Sequence, residues 1–291
     1  MQLGVIFPTT EIGDDAAVMR AYATAVEAAG YDYLSVYDHV LGTTPERAAA
    51  LGGPYTYRIP FHEVFVLLGH LCAVTERIGL ATEVLVLPQR QTALVAKQTA
   101  EIDVLSGGRL RLGVGIGWNA VEFEALGENF HTRGRRLEEQ IALLRRLWGD
   151  ELLSFEGRDH RFTDAGINPL PPRRSIPIWI GGMAEAALRR AARIADGLML
   201  QVPVKTAAAH IDTVRAMVAE EGRDPAAFGI SGWVTLWDDT ESVLARVHEW
   251  ERLGATHVSV NTMGTNRAPA EHAERLVAFM ESRGGARMKA R

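Results

Sequence analysis

Short runs of β-branched and apolar residues alternate along this chain with longer stretches in which apolar residues recur at helical spacing. Helical spacing from about Asp14 to Ala29 separates the first two runs, and Gly30 supplies a left-handed stop. This alternation predicts βα units around a parallel sheet. The predicted strands are Leu3–Phe7, Tyr33–Tyr37, Ile78–Val86, Arg109–Gly117, Ile178–Gly181, Gly197–Val202, Gly229–Leu236 and His257–Asn261. Eight units fit a closed (β/α)8 barrel of the TIM type, because a closed barrel needs no edge strands.

Two stretches interrupt the alternation. Between about Gly149 and Ile176 the chain runs through SFEGRDHRF and NPLPPRRSIP, which cannot be a plain helix and predict an insertion with a short hairpin between strands 4 and 5. The stretch from Leu41 to Pro60 is long and rich in Gly, Pro and Tyr, and it leaves the C-terminal end of strand 2. We expect it to be a lid. No inter-domain linker is visible, so residues 1–291 are predicted to form a single domain.

Composition narrows the class of partner. The chain has 291 residues, of which 47% are hydrophobic, and its net charge of −5 leaves no general basic field for nucleic acid or an anionic membrane. The partner is therefore expected to be a small-molecule substrate. The N-terminus lacks the pattern of a signal peptide, and no apolar run approaches the length of a bilayer span. The lone cysteine, Cys72, lies on an apolar helical face and excludes an intrachain disulfide, which predicts a cytoplasmic protein.

Candidate chemistry begins with Asp38 and His39, which end strand 2 in the run YLSVYDHV. In a barrel this end of the strand belongs to the catalytic rim. An Asp-His pair by itself also occurs in loops without any catalytic role, where both side chains are hydrogen-bonded. Glu83 is the second candidate, because it interrupts the almost wholly apolar run IGLATEVLVLP. A carboxylate inside a covered parallel sheet needs a partner or a raised pKa, so a salt bridge within the barrel and a catalytic role are both open.

Glycines mark two further positions. Strand 4 reads RLRLGVGIGWN, where the glycines at 113, 115 and 117 thin the strand and allow another backbone or a flat ligand to approach. Strand 5 passes through Gly181–Gly182 directly into a helix, an arrangement that suits either a phosphate on the helix N-terminus or a tight packing turn. Arg133, Arg135 and Arg136, together with Arg90 after strand 3, are interpreted as solvated side chains paired with Glu138 and Glu139. The sequence contains no HExxH, GxSxG or Walker motif.

Several segments together resemble the luciferase-like flavin and coenzyme F420-dependent oxidoreductases. They occur in family order and cover most of the chain: EAAGYDYLSVYDHV (27–40), RIGLATEVLVLP (77–88), LVAKQTAEIDVLSGGRLRLGVGIGWNAVEFEALG (94–127), RGRRLEEQIALLRRLW (133–148) and SIPIWIGGMAEAALRRAARIADG (175–197). The Asp-His pair, VLVLP and GVGIGW are most similar to the F420 branch. One departure is Trp118, which stands where the sugar-phosphate dehydrogenase members have a catalytic glutamate, and it makes a glucose-6-phosphate reaction doubtful.

The resemblance implies a cofactor at the C-terminal mouth of the barrel. It implies His39 as the catalytic residue near the hydride-accepting carbon, and a cis peptide bond at Glu83–Val84. The cofactor contacts that it implies are Asp38, Glu83, Val84, Val86, Ile116, Gly117, Gly181, Gly182, Ala184 and Glu185. The aromatic residues Tyr55, Tyr57, Phe61, Trp118 and Trp233 would form either an apolar pocket or core.

The expected activity is hydride transfer between a small organic substrate and F420. One alternative is an FMN-dependent monooxygenase that uses reduced flavin from a flavin or F420 reductase partner. Another is a cofactor-binding protein without turnover, if the lid packs shut. A homodimer is also expected, from the resemblance and from the broad apolar face of the helix that carries Val64, Leu67, Leu68 and Leu71.

Overall fold

A computed structural model describes residues 1–53, 55–237 and 239–289, with side chains through residue 284. The strands are β1 (Gln2–Ile6), β2 (Tyr33–Val36), β3 (Gly79–Thr82), β4 (Leu85–Val86), β5 (Leu110–Gly115), β6 (Leu153–Glu156), β7 (Arg161–Ala165), β8 (Ile178–Gly181), β9 (Gly197–Met199), β10 (Gly229–Thr235) and β11 (His257–Asn261). The helices are α1 (Ala16–Ala28), α2 (Pro45–Ala50), α3 (Val64–Val74), α4 (Thr92–Leu105), α5 (Ala120–Ala125), α6 (Arg133–Gly149), α7 (Glu185–Ile194), α8 (Val204–Glu220), α9 (Thr240–Arg252) and α10 (Pro269–Lys289).

The parallel strands close into a barrel. Their order is β3-β2-β1-β11-β10-β9-β8-β5-β4, and an additional pairing of β3 with β5 joins the two ends. Since β3 and β4 are two pieces of one staggered strand, the barrel has eight strand positions. This confirms the predicted (β/α)8 fold. Helix α1 begins at the N-cap Asp15, whose side chain accepts the N–H of Ala17, and Gly30 has the expected positive φ.

The third strand is interrupted rather than continuous. The sequence predicted one strand over Ile78–Val86, whereas the structure has β3 and β4 with Glu83 and Val84 between them. The Glu83–Val84 peptide bond is cis, as the resemblance implied, and Asn168–Pro169 is also cis. The side chains of residues 83 and 84 lie at the C-terminal mouth of the barrel, between the two pieces of the strand.

The insertion between the fourth and fifth strand positions contains the predicted hairpin. Strands β6 and β7 pair antiparallel outside the barrel. His160, in the turn, contacts Glu139 of α6 through Nδ1 at 2.7 Å and Thr92 of α4 through Nε2 at 2.6 Å. The hairpin is therefore attached to the helical layer.

The apolar face of α3 is buried in the core of a single chain. Val64, Leu67, Leu68 and Leu71 are each at most 4% exposed, while Val66 on the other side of the helix is 74% exposed. The four residues that the sequence offered as surplus apolar surface therefore give no argument for a dimer. Among the described residues, no helix is long and apolar enough to cross a membrane.

Candidate active site

A cavity of about 440 Å³ opens at the C-terminal ends of the barrel strands. Nine of the predicted site residues line it: Asp38, His39, Glu83, Val84, Val86, Ile116, Gly117, Gly181 and Gly182. Ala184 and Glu185 do not. Ala184 is the N-cap of α7, and Glu185 pairs on the surface with Arg189. The fold therefore brings together segments from strands 2, 3, 4 and 5 that are far apart in the sequence.

The glycines of strand 4 make room for neighbouring strands. A Cβ at Gly115 would lie 2.6 Å from a methyl of Val84, and one at Gly117 would lie 2.5 Å from a methyl of Val86. A Cβ at Gly181 would also contact Val84, at 2.7 Å. The side chain of Val84 thus sits between two glycines and forms part of the cavity wall. The sequence had left open whether another backbone or a flat ligand approaches this strand. The backbone carbonyl of Thr82 approaches it at Gly113, and side chains of strand 3 approach it at Gly115 and Gly117.

Replacing Gly115 with alanine is expected to push Val84 into the cavity and weaken binding of a flat cofactor by about tenfold or more, because overpacking of this kind costs about 1–3 kcal/mol. The additional change Val84→Ala should restore binding by removing the clashing methyls. Cofactor affinity measured by fluorescence titration tests both variants. Gly69→Ala is the matched control, because its Cβ would meet nothing within 4 Å. Full affinity in Gly115→Ala would contradict this description of the wall.

Asp38 is held by protein groups on both carboxylate oxygens. Its Oδ1 accepts from Arg90 Nη2 at 2.6 Å, and its Oδ2 accepts from Arg90 Nε at 3.2 Å and from the backbone N–H of Val86 at 2.9 Å. Arg90 also donates to Glu63 at 2.9 Å. Arg90 is therefore neither solvated nor paired with Glu138 or Glu139, in contrast to the interpretation from the sequence. Asp38 lines the cavity, and its hydrogen bonds anchor strand β4.

His39 lies at the mouth of the cavity with one ring nitrogen held by a buried glutamate. Its Nδ1 is 3.2 and 3.3 Å from the two carboxylate oxygens of Glu122, which is 1% exposed. Glu122 Oε1 also accepts the N–H groups of Val40 and Leu41, at 2.6 and 3.1 Å. An ionised carboxylate only accepts hydrogen bonds, so the ring nitrogen that faces Glu122 must donate. We therefore assign the ring hydrogen of His39 to Nδ1. This leaves the lone pair on Nε2, to which no side chain or backbone group in the described part of the chain is hydrogen-bonded.

Aromatic rings from the expected lid, from the residue that follows it and from the loop after strand 4 surround His39. Tyr55 and Phe61 lie 4.7 and 5.0 Å from the imidazole, and Trp118 of the opposite loop lies 5.4 Å from it. Gly53 packs directly on the Trp118 ring. The lid stretch includes residue 54, which lies outside the described residues. Tyr55 lines the cavity without filling it, so the lid does not pack shut over the site.

The expected phosphate position is the start of α7. Gly182 has a φ of 152°, and its N–H donates to the carbonyl of Met199 at 3.3 Å, so this N–H is already engaged. The N-cap Ala184 provides no side-chain acceptor for the first turn of α7. The N–H of Ala187 donates to the carbonyl of Ala184, and the N–H groups that precede it in this turn, together with the positive end of the helix dipole, suit an anion. A flat ring against Val84, Val86 and Ile116 with its phosphate at this helix start fits the residues present.

Sequence reasoning missed three polar side chains. Tyr37 and Gln201 line the cavity at the ends of strands 2 and 6, and a polar residue that ends an apolar barrel strand was the available signal. Glu122 follows the N-cap Asn119 by three residues, which is the spacing of a capping box. That pattern predicts that Glu122 caps its own helix, so nothing in the sequence indicated that it contacts His39. Within the described residues, no group of three or more His, Cys, Asp or Glu side chains could hold a metal ion.

The sequence comparison decides the family. The model of the luciferase-like monooxygenase family matches residues 1–288. The chain belongs to the luciferase-like monooxygenase family. The structure of an F420-dependent secondary alcohol dehydrogenase in complex with an F420-acetone adduct is similar, with a TM-score of 0.79, 17% identity and coverage of 96% of this chain and 97% of that one. At that identity the likeness shows the fold alone.

Relatives in this family carry different descriptions. An uncharacterized protein of Mycobacterium tuberculosis is 39% identical over 182 residues, 61% of this chain and 62% of its own length. The FMNH2-dependent dimethylsulfone monooxygenase of Pseudomonas putida is 34% identical over 193 residues, 65% of this chain and 53% of its own length. The chain thus spans less than two thirds of the length of these relatives. Both F420-dependent and FMNH2-dependent proteins are among those to which the chain is similar.

Proposed function

We propose that this luciferase-like chain transfers a hydride between a small organic substrate and coenzyme F420, and that His39 holds or releases the substrate proton. The observation that carries the proposal is the fixed orientation of His39, whose Nδ1 is bound to buried Glu122 while Nε2 is free for a ligand in the cavity. A bound deazaflavin would supply the two-electron chemistry. The protein would supply ring burial against Val84 and Ile116, and a positioned base.

The test begins with binding. The purified protein is titrated with F420, FMN and FAD in turn, and we expect the tightest binding for F420. The loaded protein is then incubated without oxygen with small secondary alcohols and ketones, because the structurally similar dehydrogenase acts on secondary alcohols and holds an F420-acetone adduct. Absorbance of F420 should change with substrate. Tight binding of FMN alone, or no redox change with any substrate, would contradict the proposal.

The second candidate function is an FMN-dependent monooxygenase. Its support is the 34% identity to the sulfone monooxygenase, whose name states FMNH2 dependence. This function requires a separate reductase to supply reduced flavin. Oxygen consumption in the presence of reduced FMN, absent with F420, would favour it over the first candidate. Binding of either cofactor without turnover would instead favour a carrier protein.

Glu122 is expected to act through His39 as a positioning residue. Glu122→Gln keeps the side-chain size and an acceptor for Val40 and Leu41 but loses the charge opposite the imidazole. We expect kcat to fall by about 10²-fold, the usual cost of a misplaced catalytic group, with little change in KM. The pH profile of kcat should shift as well. Glu124→Gln is the matched control on the same helix, since its pair with Arg47 is exposed. An unchanged pH profile in Glu122→Gln would show that Glu122 is structural only.

We also propose that the chain forms a homodimer, as the resemblance implied. The apolar face of α3 no longer supports this, so the proposal rests on the family alone. Light scattering at micromolar concentration is expected to give twice the chain mass. A monomer mass would contradict it.

A further inference from the structure

Glu83 is a buried acid of the cavity for which the proposed function has no use. Its side chain is 5% exposed, lines the cavity and lies among the barrel strands. Its Oε2 accepts from Ser35 at 2.5 Å and from Ser259 at 2.9 Å. No described residue donates to Oε1. The salt bridge that the sequence left open is therefore absent among the described residues, and two hydroxyl groups take its place.

We propose that Glu83 is a proton-exchanging group of this site, neutral in the unliganded protein, which gives its carboxyl proton to a ligand atom bound at the floor of the cavity. The inference rests on the proposed function only in that the ligand is a flavin or deazaflavin. The step breaks the O–H bond of Glu83 and forms a bond from that proton to a lone pair of the ligand. No electrons are transferred, and a carboxylate remains on the protein.

The hydroxyl network satisfies both protonation states of Glu83. Ser35 has one hydrogen and two acceptors within reach, Glu83 Oε2 at 2.5 Å and the carbonyl of Val5 at 3.2 Å. When Glu83 is neutral, its proton is on Oε1, the oxygen to which no described residue donates, and Ser35 donates to Oε2. When Glu83 is ionised, Ser35 keeps the same hydrogen bond to Oε2. Ser259, which lies 2.9 Å from the hydroxyl of Tyr33, donates to Glu83 in both states. Loss of the proton from Oε1 therefore breaks neither hydrogen bond to Oε2, and the ligand is the partner that the proposal gives to Oε1.

The surrounding charges allow a neutral resting state and a stable carboxylate. Burial raises the pKa of the Glu83 carboxyl, while the hydrogen bonds of Ser35 and Ser259 and the charge of Arg111 lower it in part. Arg111 lies between the rings of Tyr33 and Trp179, each 4.5 Å from its guanidinium carbon, rather than in an ion pair with Glu83.

The other ionisable groups around Glu83 add no competing charge at neutral pH. Burial raises the pKa of Tyr33 to about 12 and raises that of Tyr37. Burial, with Arg111, lowers the pKa of His257 to about 3. These three side chains are therefore neutral in the resting protein. Asp38 is balanced by Arg90. Arg111 is thus the nearby charge that favours the carboxylate once the proton has left.

The test is infrared difference spectroscopy, which detects the carbonyl stretch of a protonated carboxyl group. At neutral pH we expect a Glu83 band in the unliganded protein that is missing in Glu83→Gln, and we expect this band to disappear when F420, the ligand of the proposed function, is added. Asp103→Asn is the matched control: Asp103 is 1% exposed, burial raises its pKa, and it does not line the cavity. Its removal should leave the ligand-dependent loss intact. In the parent protein, labelling with ¹³C-glutamate should shift this band, which assigns it to a glutamate side chain without a substitution.

The outcomes separate this inference from the proposed function. A Glu83 band that is absent before ligand addition, or that persists after it, overturns the inference even when hydride transfer to F420 is observed. The inference is also overturned if Glu83→Gln still shows the band and loses it when the ligand is added, because the proton then comes from another group. Failure of both F420 and FMN to bind overturns the proposed function and the inference together.

Discussion

Replacing His39 with alanine is expected to lower turnover on a true substrate by about 10²–10⁴, the usual worth of a positioned general acid or base, while cofactor affinity stays within a few-fold of the parent. The two effects separate because Nε2 of His39 is available to a ligand at the mouth, whereas ring burial depends on Val84 and Ile116 and the phosphate on the start of α7. Steady-state kinetics and fluorescence titration measure the two quantities. His131→Ala, an exposed histidine away from the cavity, is the matched control.

The opposite separation is expected at Gly182. A side chain there would be strained at a φ of 152°, and its Cβ would lie 2.7 Å from the Cβ of Ala187 in α7. Gly182→Val should therefore displace the start of α7 and weaken cofactor binding first. If His39→Ala abolished binding while Gly182→Val did not, the assigned roles would be wrong. Equal activity of His39→Ala and the parent would leave His39 as a structural residue of the rim.

Removing the charge of Asp38 is expected to destabilise the protein by about 3–5 kcal/mol, the cost of breaking a buried ion pair by removing one partner, although Arg90 keeps its contact with Glu63. The side chain of Asp38 is fully buried and that of Arg90 is 14% exposed, so neither is well solvated when the other is lost. Asp38→Asn also weakens the support of the Val86 N–H, and β4 should loosen. Chemical denaturation is measured for the parent, for Asp38→Asn, for Arg90→Gln and for the double variant. The four free energies of unfolding give the coupling energy between the two side chains.

The control for this cycle is the exposed pair between Arg161 and Glu156, whose side chains are 74% and 75% exposed. Its disruption by Glu156→Gln should cost about 0–1 kcal/mol. If Asp38→Asn were as stable as the parent but lost cofactor affinity, then Asp38 would be a direct cofactor contact, as the resemblance implied. Loss of stability and affinity together supports its role as the anchor of β4.

The barrel could be predicted because its information is local and repeated. Each βα unit has its own apolar strand, its helical period and its stop signal, so errors at one boundary do not change the count of eight. The strand limits were less accurate: the predicted strand Gly197–Val202 ends at Met199, and Ile78–Val86 is broken at Glu83 and Val84. The apolar pattern on either side of Glu83 did not indicate the break, because apolar residues suit both a continuous strand and a wall that bends into a cavity.

The partners of the polar residues could not be predicted for a different reason. Asp38, Glu83 and His39 were recognised as candidates by their positions at the ends or inside apolar strands. Their hydrogen-bond partners are Arg90, the hydroxyls of Ser35 and Ser259, and Glu122, and the separations along the chain run from 48 to 176 residues. Such pairs depend on which strands are neighbours and in which register, and neither is encoded in the local sequence pattern.

The sequence by itself determined the barrel, the insertion and the rim position of His39. These follow from the periods of apolar residues and from the rule that parallel strands end at one face. The tertiary structure decided that Asp38 is a buried anchor, that Glu122 orients His39, that hydroxyl groups surround Glu83, and that the apolar face of α3 is core. Each of these depends on closure of the barrel, since closure determines which distant side chains are desolvated together and which polar groups must then pair with one another.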